Sequence, residues 1–116
     1  MIKRRCELIN TPEENCCGGT GHADIYRIVS PEEVYADMPN YAFVHLGEDD
    51  SVGYHVHRGT MEMYTVLSGE AIYNDNGTEV PLHPGDTSVT YDGEGHGIRP
   101  APGQTLDILA CILTKH

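Results

Sequence analysis

The sequence predicts an all-β domain, either a sandwich or a small barrel, on the evidence of its size, its turn formers and its short apolar segments. Its 116 residues are enough for one hydrophobic core and no more. The 13 Gly and 7 Pro give turn signals at intervals too short for long helices. The 39% of hydrophobic residues is more than disordered chains carry. Such a composition favours many short strands joined by turns.

The strand signals are clearest from residue 41 onward. Residues 41–46 and 61–67 are predicted strands, and the second places Glu62, Tyr64 and Val66 on one face. Asn-Asp-Asn-Gly at 74–77 is a strong hairpin signal. A further strand is predicted at 87–91, after the Pro-Gly-Asp turn at 84–86. Residues 106–113 (LDILACIL) are nearly apolar on both faces, which is typical of a strand buried on two sides.

Residues 1–40 are less regular. They are predicted to form an extension that packs on a barrel of residues 41–116 or on a partner subunit. Residues 25–29 favour a short strand. Ser30-Pro31-Glu32-Glu33 reads as a helix start, and Pro39 keeps that helix short. The Cys16-Cys17-Gly18-Gly19 stretch lacks the flanking strand and helix of a phosphate loop.

The charge balance limits the classes of binding partner that we expect. A formal net charge of −11 argues against nucleic acid and against an anionic membrane surface, because both need clustered Lys and Arg. The sequence contains neither an apolar run of about 20 residues nor an apolar stretch behind its basic start. We therefore expect a cytoplasmic protein. In that compartment the four cysteines, two of them adjacent, are expected to be reduced thiols.

The candidate site begins with an H-x-H-x4-E pattern at His55, His57 and Glu62. Residues two apart on a strand share a face, so the two imidazoles can bind one ion, and the spacer lets Glu62 point back from the next strand. Imidazole with carboxylate suits first-row transition metals. The alternative for H-x-H alone is a pair of histidines on a solvated strand face. His83 lies beside a proline turn and is expected to be exposed.

A longer series of histidines, one glutamate and turn residues follows a fixed order: His55, His57, Glu62 and Gly69, then Pro84, Gly85, Asp86, Gly93 and His96. This series resembles the two motifs of the cupin superfamily, specifically its small single-barrel members, over residues 41–116. The resemblance implies a double-stranded β-helix with jelly-roll-like topology. It also implies that one divalent ion (Fe, Mn, Ni, Co, Cu or Zn) is held by His55, His57, Glu62 and His96.

Four protein ligands leave one or two coordination positions open, which is typical of a catalytic site. The resemblance implies a dioxygenase, a decarboxylase or lyase, or a sugar isomerase, acting on a small polar or carboxylated molecule. Tyr64, Tyr91 and Glu94 are candidate acids or bases. Arg58 and Arg99 are candidates for gripping an anionic substrate. The alternatives are a metal-dependent module that binds or senses a small ligand without turnover, and a barrel whose histidines hold no metal.

The strand at 106–113 also bears on assembly. Ile108 and Ala110 share one face, and Leu109 and Cys111 share the other. A barrel wall needs only its inner face to be apolar, so the outer face must be covered by residues 1–40 or by another chain. Small cupins commonly dimerise by packing sheets together, and the resemblance therefore implies a two-fold homodimer.

Overall fold

The computed structural model describes residues 1–35 and 37–115, and these residues form two antiparallel sheets packed face to face. The strands are β1 Glu13–Glu14, β2 His22–Arg27, β3 Asn40–Leu46, β4 Val52–Val56, β5 Thr60–Ser68, β6 Ala71–Asp75, β7 Thr78–Leu82, β8 Thr87–Thr90, β9 Gly95–Pro100 and β10 Leu106–Thr114. One sheet has six strands in the order β1-β2-β3-β10-β5-β8, and the other has four in the order β4-β9-β6-β7. The predicted all-β fold is confirmed.

The core lies between the two sheets, and β10 is at its centre. The inward residues Leu106, Ile108 and Ala110 are fully buried, and they pair with Leu46, Val44 and Ala42 of β3. On its other edge β10 pairs with β5, which sets Ile108 opposite Val66 and Ala110 opposite Tyr64. Strict alternation along all three strands therefore builds one continuous apolar wall.

The hairpin between β6 and β7 forms where the sequence predicts it. Asp75 pairs with Thr78, leaving a two-residue loop of Asn76 and Gly77. Both loop residues have positive φ, 51° and 98°, as a type I′ turn requires. The turn fixes the register of the two strands.

The amino-terminal segment is built into the six-stranded sheet. Strand β2 pairs antiparallel with β3, and its Ala23 and Ile25 belong to the core. The predicted helix start at Ser30 yields only one 3₁₀ turn, Pro31–Glu33. The capping interaction is present, since the Ser30 N–H donates to the Glu33 carboxylate at 2.8 Å, but the backbone is extended again at Val34. No helix among the described residues has the length and apolarity needed to cross a bilayer.

The outer face of the six-stranded sheet is partly apolar. The Arg5 guanidinium covers the Tyr26 ring at 3.7 Å from its centroid and also approaches Phe43. Farther along the face, Met63 pairs with Val89, which is 41% exposed. The first residues of the chain therefore cover one end of this face and leave the Met63–Val89 end open.

Candidate metal centre

Four side chains converge between the sheets: His55, His57, Glu62 and His96. Their nearest ligand atoms all lie within 4.8 Å of one another. The His57 Nε2 atom is 3.1 Å from Glu62 Oε1 and 3.1 Å from His96 Nε2. The His96 Nε2 atom is 3.0 Å from Glu62 Oε1 and 3.2 Å from His55 Nε2. The His55 Nε2 and Glu62 Oε1 atoms are 3.9 Å apart.

These separations fit the coordination sphere of one ion. Adjacent ligands at about 2.1 Å from an ion lie about 3.0 Å apart in octahedral geometry and about 3.4 Å apart in tetrahedral geometry. Four of these five separations are 3.0–3.2 Å, closer to the octahedral value. Nitrogen lone pairs brought this close repel one another unless a cation or a proton lies between them. A six-coordinate ion on these four ligands keeps two further positions.

The two sheets contribute different ligands. His55 lies on β4 and pairs with His96 on β9, while His57 follows β4 directly. The His57 backbone is held by the Glu94 carbonyl, which accepts its N–H at 2.9 Å. Glu62 comes from the inner face of β5 in the opposite sheet. An ion bound here would therefore link the two sheets.

The distal nitrogens of His55 and His57 have fixed partners. The His55 Nδ1 atom lies 2.8 Å from the Gly53 carbonyl oxygen, which can only accept, so Nδ1 carries a proton there. The His57 Nδ1 atom lies 2.8 Å from the Thr60 hydroxyl. Such contacts orient the ring and direct Nε2, not Nδ1, toward a metal.

The third imidazole, His96, is fully buried. Its Nδ1 atom lies 2.9 Å from the Tyr73 hydroxyl and 3.0 Å from the Thr90 hydroxyl. The Tyr64 ring stacks on it at 4.7 Å between centroids. Tyr64, a candidate acid or base, thus packs against a ligand, and burial raises the pKa of its hydroxyl well above the usual range.

The electrostatics of the cluster are set by burial and by the neighbouring Cys17 thiol. Burial alone would raise the pKa of Glu62, but hydrogen bonds from His55 and His96 lower it to about 2. The Cys17 thiol, followed by Glu62, raises the pKa of His55 to about 10. Burial lowers the pKa of His57. Glu62 is therefore a fixed anion that balances part of an ion's charge.

One cavity of about 250 Å³ opens onto His55 and Glu62. Arg27, at the exposed end of β2, also lines it, and its Nη1 donates a hydrogen bond to the Thr11 hydroxyl at 2.6 Å. Asn40 has a buried side-chain oxygen that finds no partner among the described residues, and it lines the same cavity. The titratable groups on the lining other than the two ligands are Glu13, Cys16, Cys17, Arg27 and Tyr64.

The arginines proposed from the sequence lie elsewhere. Arg99 is exposed and forms a surface ion pair with Glu79. Arg58 is exposed beside Asp92. The sequence analysis did not single out Arg27, but Arg27 lines the cavity where Arg58 or Arg99 was expected. It could have been found only by knowing that β2 borders the barrel, because nothing near Arg27 in the sequence marks a site.

The other two candidate acids or bases sit at the edge of the site. Glu94 accepts hydrogen bonds from the Tyr91 backbone N–H at 2.8 Å and from the Asn76 amide at 3.2 Å, so it braces a turn. The Tyr91 side chain is 60% exposed and borders a different pocket, with Met61 and Leu113. Their catalytic role remains a prediction.

Comparisons with known proteins agree with this architecture. The cupin domain family matches residues 42–110. The chain is 36% identical over 115 residues to the oxalate-binding protein of Thermotoga maritima, covering 97% of this chain and 93% of that protein. The crystal structure of a predicted oxalate decarboxylase from Thermotoga maritima superposes with a TM-score of 0.93 at 33% identity, covering 98% of this chain and 99% of that one.

A more distant structure shares the fold alone. The polyketide cyclase RemF from Streptomyces resistomycificus superposes with a TM-score of 0.77 at 19% identity, covering all of this chain and 81% of that one. The family match spans both sheets and all four clustered side chains. Two sheets with a three-histidine, one-glutamate cluster between them, together with these matches, show that the chain belongs to the cupin family.

Proposed function

We propose that this cupin binds a small carboxylate of the oxalate class at a single divalent transition-metal ion held by His55, His57, Glu62 and His96. The observation that carries the proposal is Arg27, a cation on the cavity onto which the metal cluster opens. The cavity of about 250 Å³ is smaller than the roughly 300–1,000 Å³ of sites for drug-sized ligands, which favours a small molecule.

The charges around the cavity favour an anion. A divalent ion contributes two positive charges and Arg27 one, while Glu62 and Glu13 contribute two negative charges. The ion and Arg27 both attract negative charge, which favours a carboxylate over a cation. A planar guanidinium can hold two carboxylate oxygens at once. The relative named as oxalate-binding supports the same class of ligand.

The chain's residues have separate roles in this proposal. The three histidines and Glu62 hold the ion, which supplies Lewis acidity toward a carboxylate oxygen. Arg27 binds the end of the ligand that points to the cavity mouth. Asn40, with its unpaired buried oxygen, accepts a hydrogen bond from water or from a protonated ligand.

Calorimetry with Mn(II)-loaded protein tests the proposal. We expect oxalate to bind, and Arg27→Gln to weaken it by about 10–150-fold, because a hydrogen bond to a charged group contributes about 1.5–3 kcal/mol. Arg58→Gln is the matched control and should bind as the wild type does, since Arg58 is exposed away from the cavity lining. Absence of oxalate binding to the loaded wild type, or equal affinity in both variants, would contradict the proposal.

A second candidate function is turnover of the same ligand. It is favoured by Glu13, a carboxyl group that lines the cavity without belonging to the metal cluster. Decarboxylation would convert hydrogen oxalate into formate and carbon dioxide with no change in atom count. Proton NMR of the loaded protein with oxalate detects formate directly. Formate production lost in Glu13→Gln supports an enzyme, whereas binding without formate supports the non-catalytic module.

A further inference from the structure

The turn that carries Cys16 and Cys17 is fixed against β4, next to the metal cluster. The Ser51 N–H donates to the Thr20 carbonyl at 2.9 Å, and the Thr20 N–H donates to the Ser51 hydroxyl at 2.9 Å. The two backbones touch at glycines, because a Cβ on Gly53 would lie only 2.3 Å from the Cys17 carbonyl oxygen. Little freedom remains for the turn to move away from the site.

The two thiols of this turn face different surroundings. Cys16 is buried, and its sulfur lies 3.6 Å from the Glu13 carboxylate. Cys17 is exposed on the cavity side and lines the cavity together with His55 and Glu62. Its sulfur is 4.0 Å from that of Cys16, and both cysteines are free.

Cys17, His55 and Glu62 border the same cavity. The contacts of ordinary hydrogen-bond geometry made by the His55 ring go to the Gly53 carbonyl and to His96. The Cys17 sulfur lies outside the group of four ligand atoms that converge within 4.8 Å. Because Cys17 lines the cavity with His55 and Glu62, a rotation of its side chain is the movement that would bring the sulfur toward an ion from the cavity side.

That side is where coordination positions stay open. The His55 and Glu62 side chains both border the cavity, so an ion held by them faces it. A thiol that binds a metal loses its proton to solvent whatever its starting pKa. Thiolate also joins imidazole readily in sites for borderline metals such as cobalt and zinc. Cys17 thus belongs to a cluster with two of the four ligand residues and does not act as an isolated cysteine.

We propose that Cys17 is a fifth protein ligand of this site, binding on the cavity side and giving way to the incoming carboxylate. Only the displacement by a carboxylate rests on the proposed function. Cys17 binds as the thiolate, so any proton left on the sulfur passes to solvent. On displacement, the sulfur keeps its electron pair and takes a proton from solvent, so no electron is gained or lost.

Cobalt(II) loading of the full chain tests ligation by Cys17 without any carboxylate. Sulfur bound to cobalt(II) gives a near-ultraviolet charge-transfer band, whereas the visible bands report any bound cobalt. We expect the near-ultraviolet band in the wild type and in Cys16→Ser, and its loss in Cys17→Ser with the visible bands retained. The visible bands also show that each variant is folded and loaded. Cys17→Ala serves as a second variant, and Cys6→Ser controls for an exposed thiol outside the site.

The possible outcomes distinguish ligation by Cys17 from its displacement by a carboxylate. Visible bands without a sulfur band in the wild type, or a sulfur band that survives in Cys17→Ser, overturn ligation by Cys17. Oxalate should then reduce the sulfur band of the wild type in step with its calorimetric binding. A band that persists while oxalate binds overturns the displacement. A sulfur band together with an absence of oxalate binding leaves Cys17 ligation standing and removes the proposed function.

Discussion

Replacing His57 by Ala should abolish the stabilisation that a metal gives this fold. His57 is buried, its Nε2 atom faces Glu62 and His96 at 3.1 Å, and its Nδ1 atom is held by Thr60. Alanine removes one of four ligands, and no other imidazole among residues 1–35 and 37–115 lies in the cluster. The variant should therefore bind the ion far more weakly than the wild type does.

The expected size of this stabilisation follows from the linkage between metal binding and folding. An ion at 100 times its dissociation constant stabilises the folded state by about 2.7 kcal/mol. For a domain of this size, each kcal/mol moves Tm by about 3–5 °C, so the ion should raise Tm by roughly 8–14 °C. Loss of a partner that merely orients a ligand weakens metal binding about 10–100-fold. Loss of the ligand itself, taken as at least about 100-fold, leaves about 0.4 kcal/mol at the same concentration, or roughly 1–2 °C.

Scanning calorimetry with and without Mn(II) measures this shift within each variant, so any effect of the substitution on the apoprotein cancels. His83→Ala is the control, because His83 is exposed and pairs with Glu70 at the surface. It should keep the full metal-dependent rise in Tm. An equal rise in His57→Ala and in the wild type would refute the assignment of His57 as a ligand.

Three further predictions concern the surroundings of the site. Tyr73→Phe removes a hydroxyl that orients His96, so calorimetry should show metal binding weakened by about tenfold, and an unchanged affinity would deny Tyr73 that role. Because Cys17 and Glu62 raise the pKa of His55 to about 10, its ring is protonated at neutral pH and must release a proton when a metal binds. Metal affinity should thus increase with pH up to about 10, with a proton release that titrations in buffers of different ionisation enthalpy detect; a pH-independent affinity would contradict this. Met63→Glu should convert a two-chain mass into a one-chain mass in light scattering, and a monomeric wild type at micromolar concentrations would refute the expected homodimer.

The strands that could be predicted are those whose side chains alternate. Residues 61–67 and 106–113 fall within β5 and β10 because their inward positions are apolar or bind at the site. Strand β9 (Gly95–Pro100) had no such signal, since its sequence contains two glycines and a proline. The structure explains that composition: a Cβ on Gly95 would lie 2.2 Å from the Tyr54 hydroxyl oxygen. Close packing between neighbouring strands is not visible in a local pattern.

The same distinction applies to the candidate site. His55, His57 and Glu62 lie within eight positions of one another, so their spacing alone predicts that their side chains can converge. His96 required the resemblance to a family. Arg27 and Cys17 could not be predicted, because they reach the cavity through the pairing of β2 with β3 and the docking of a turn on β4. Arg27 pairs with Ala42, 15 positions away, and Cys17 approaches Gly53, 36 positions away, and the neighbouring sequence gives no sign of either contact.

The pairing of β2 with β3 has a consequence for how this protein can diverge. The four clustered side chains all lie within the residues that match the cupin family, whereas Arg27 and Cys17 lie before them. The residues that line the cavity at Arg27 and Cys17 therefore come from a different part of the sequence than the residues that hold the ion. Substitutions in residues 13–27 can alter which molecules enter while the coordinating side chains stay unchanged. Relatives that share the metal cluster are then free to differ in their ligands, and the amino-terminal strand is the place to look for that difference.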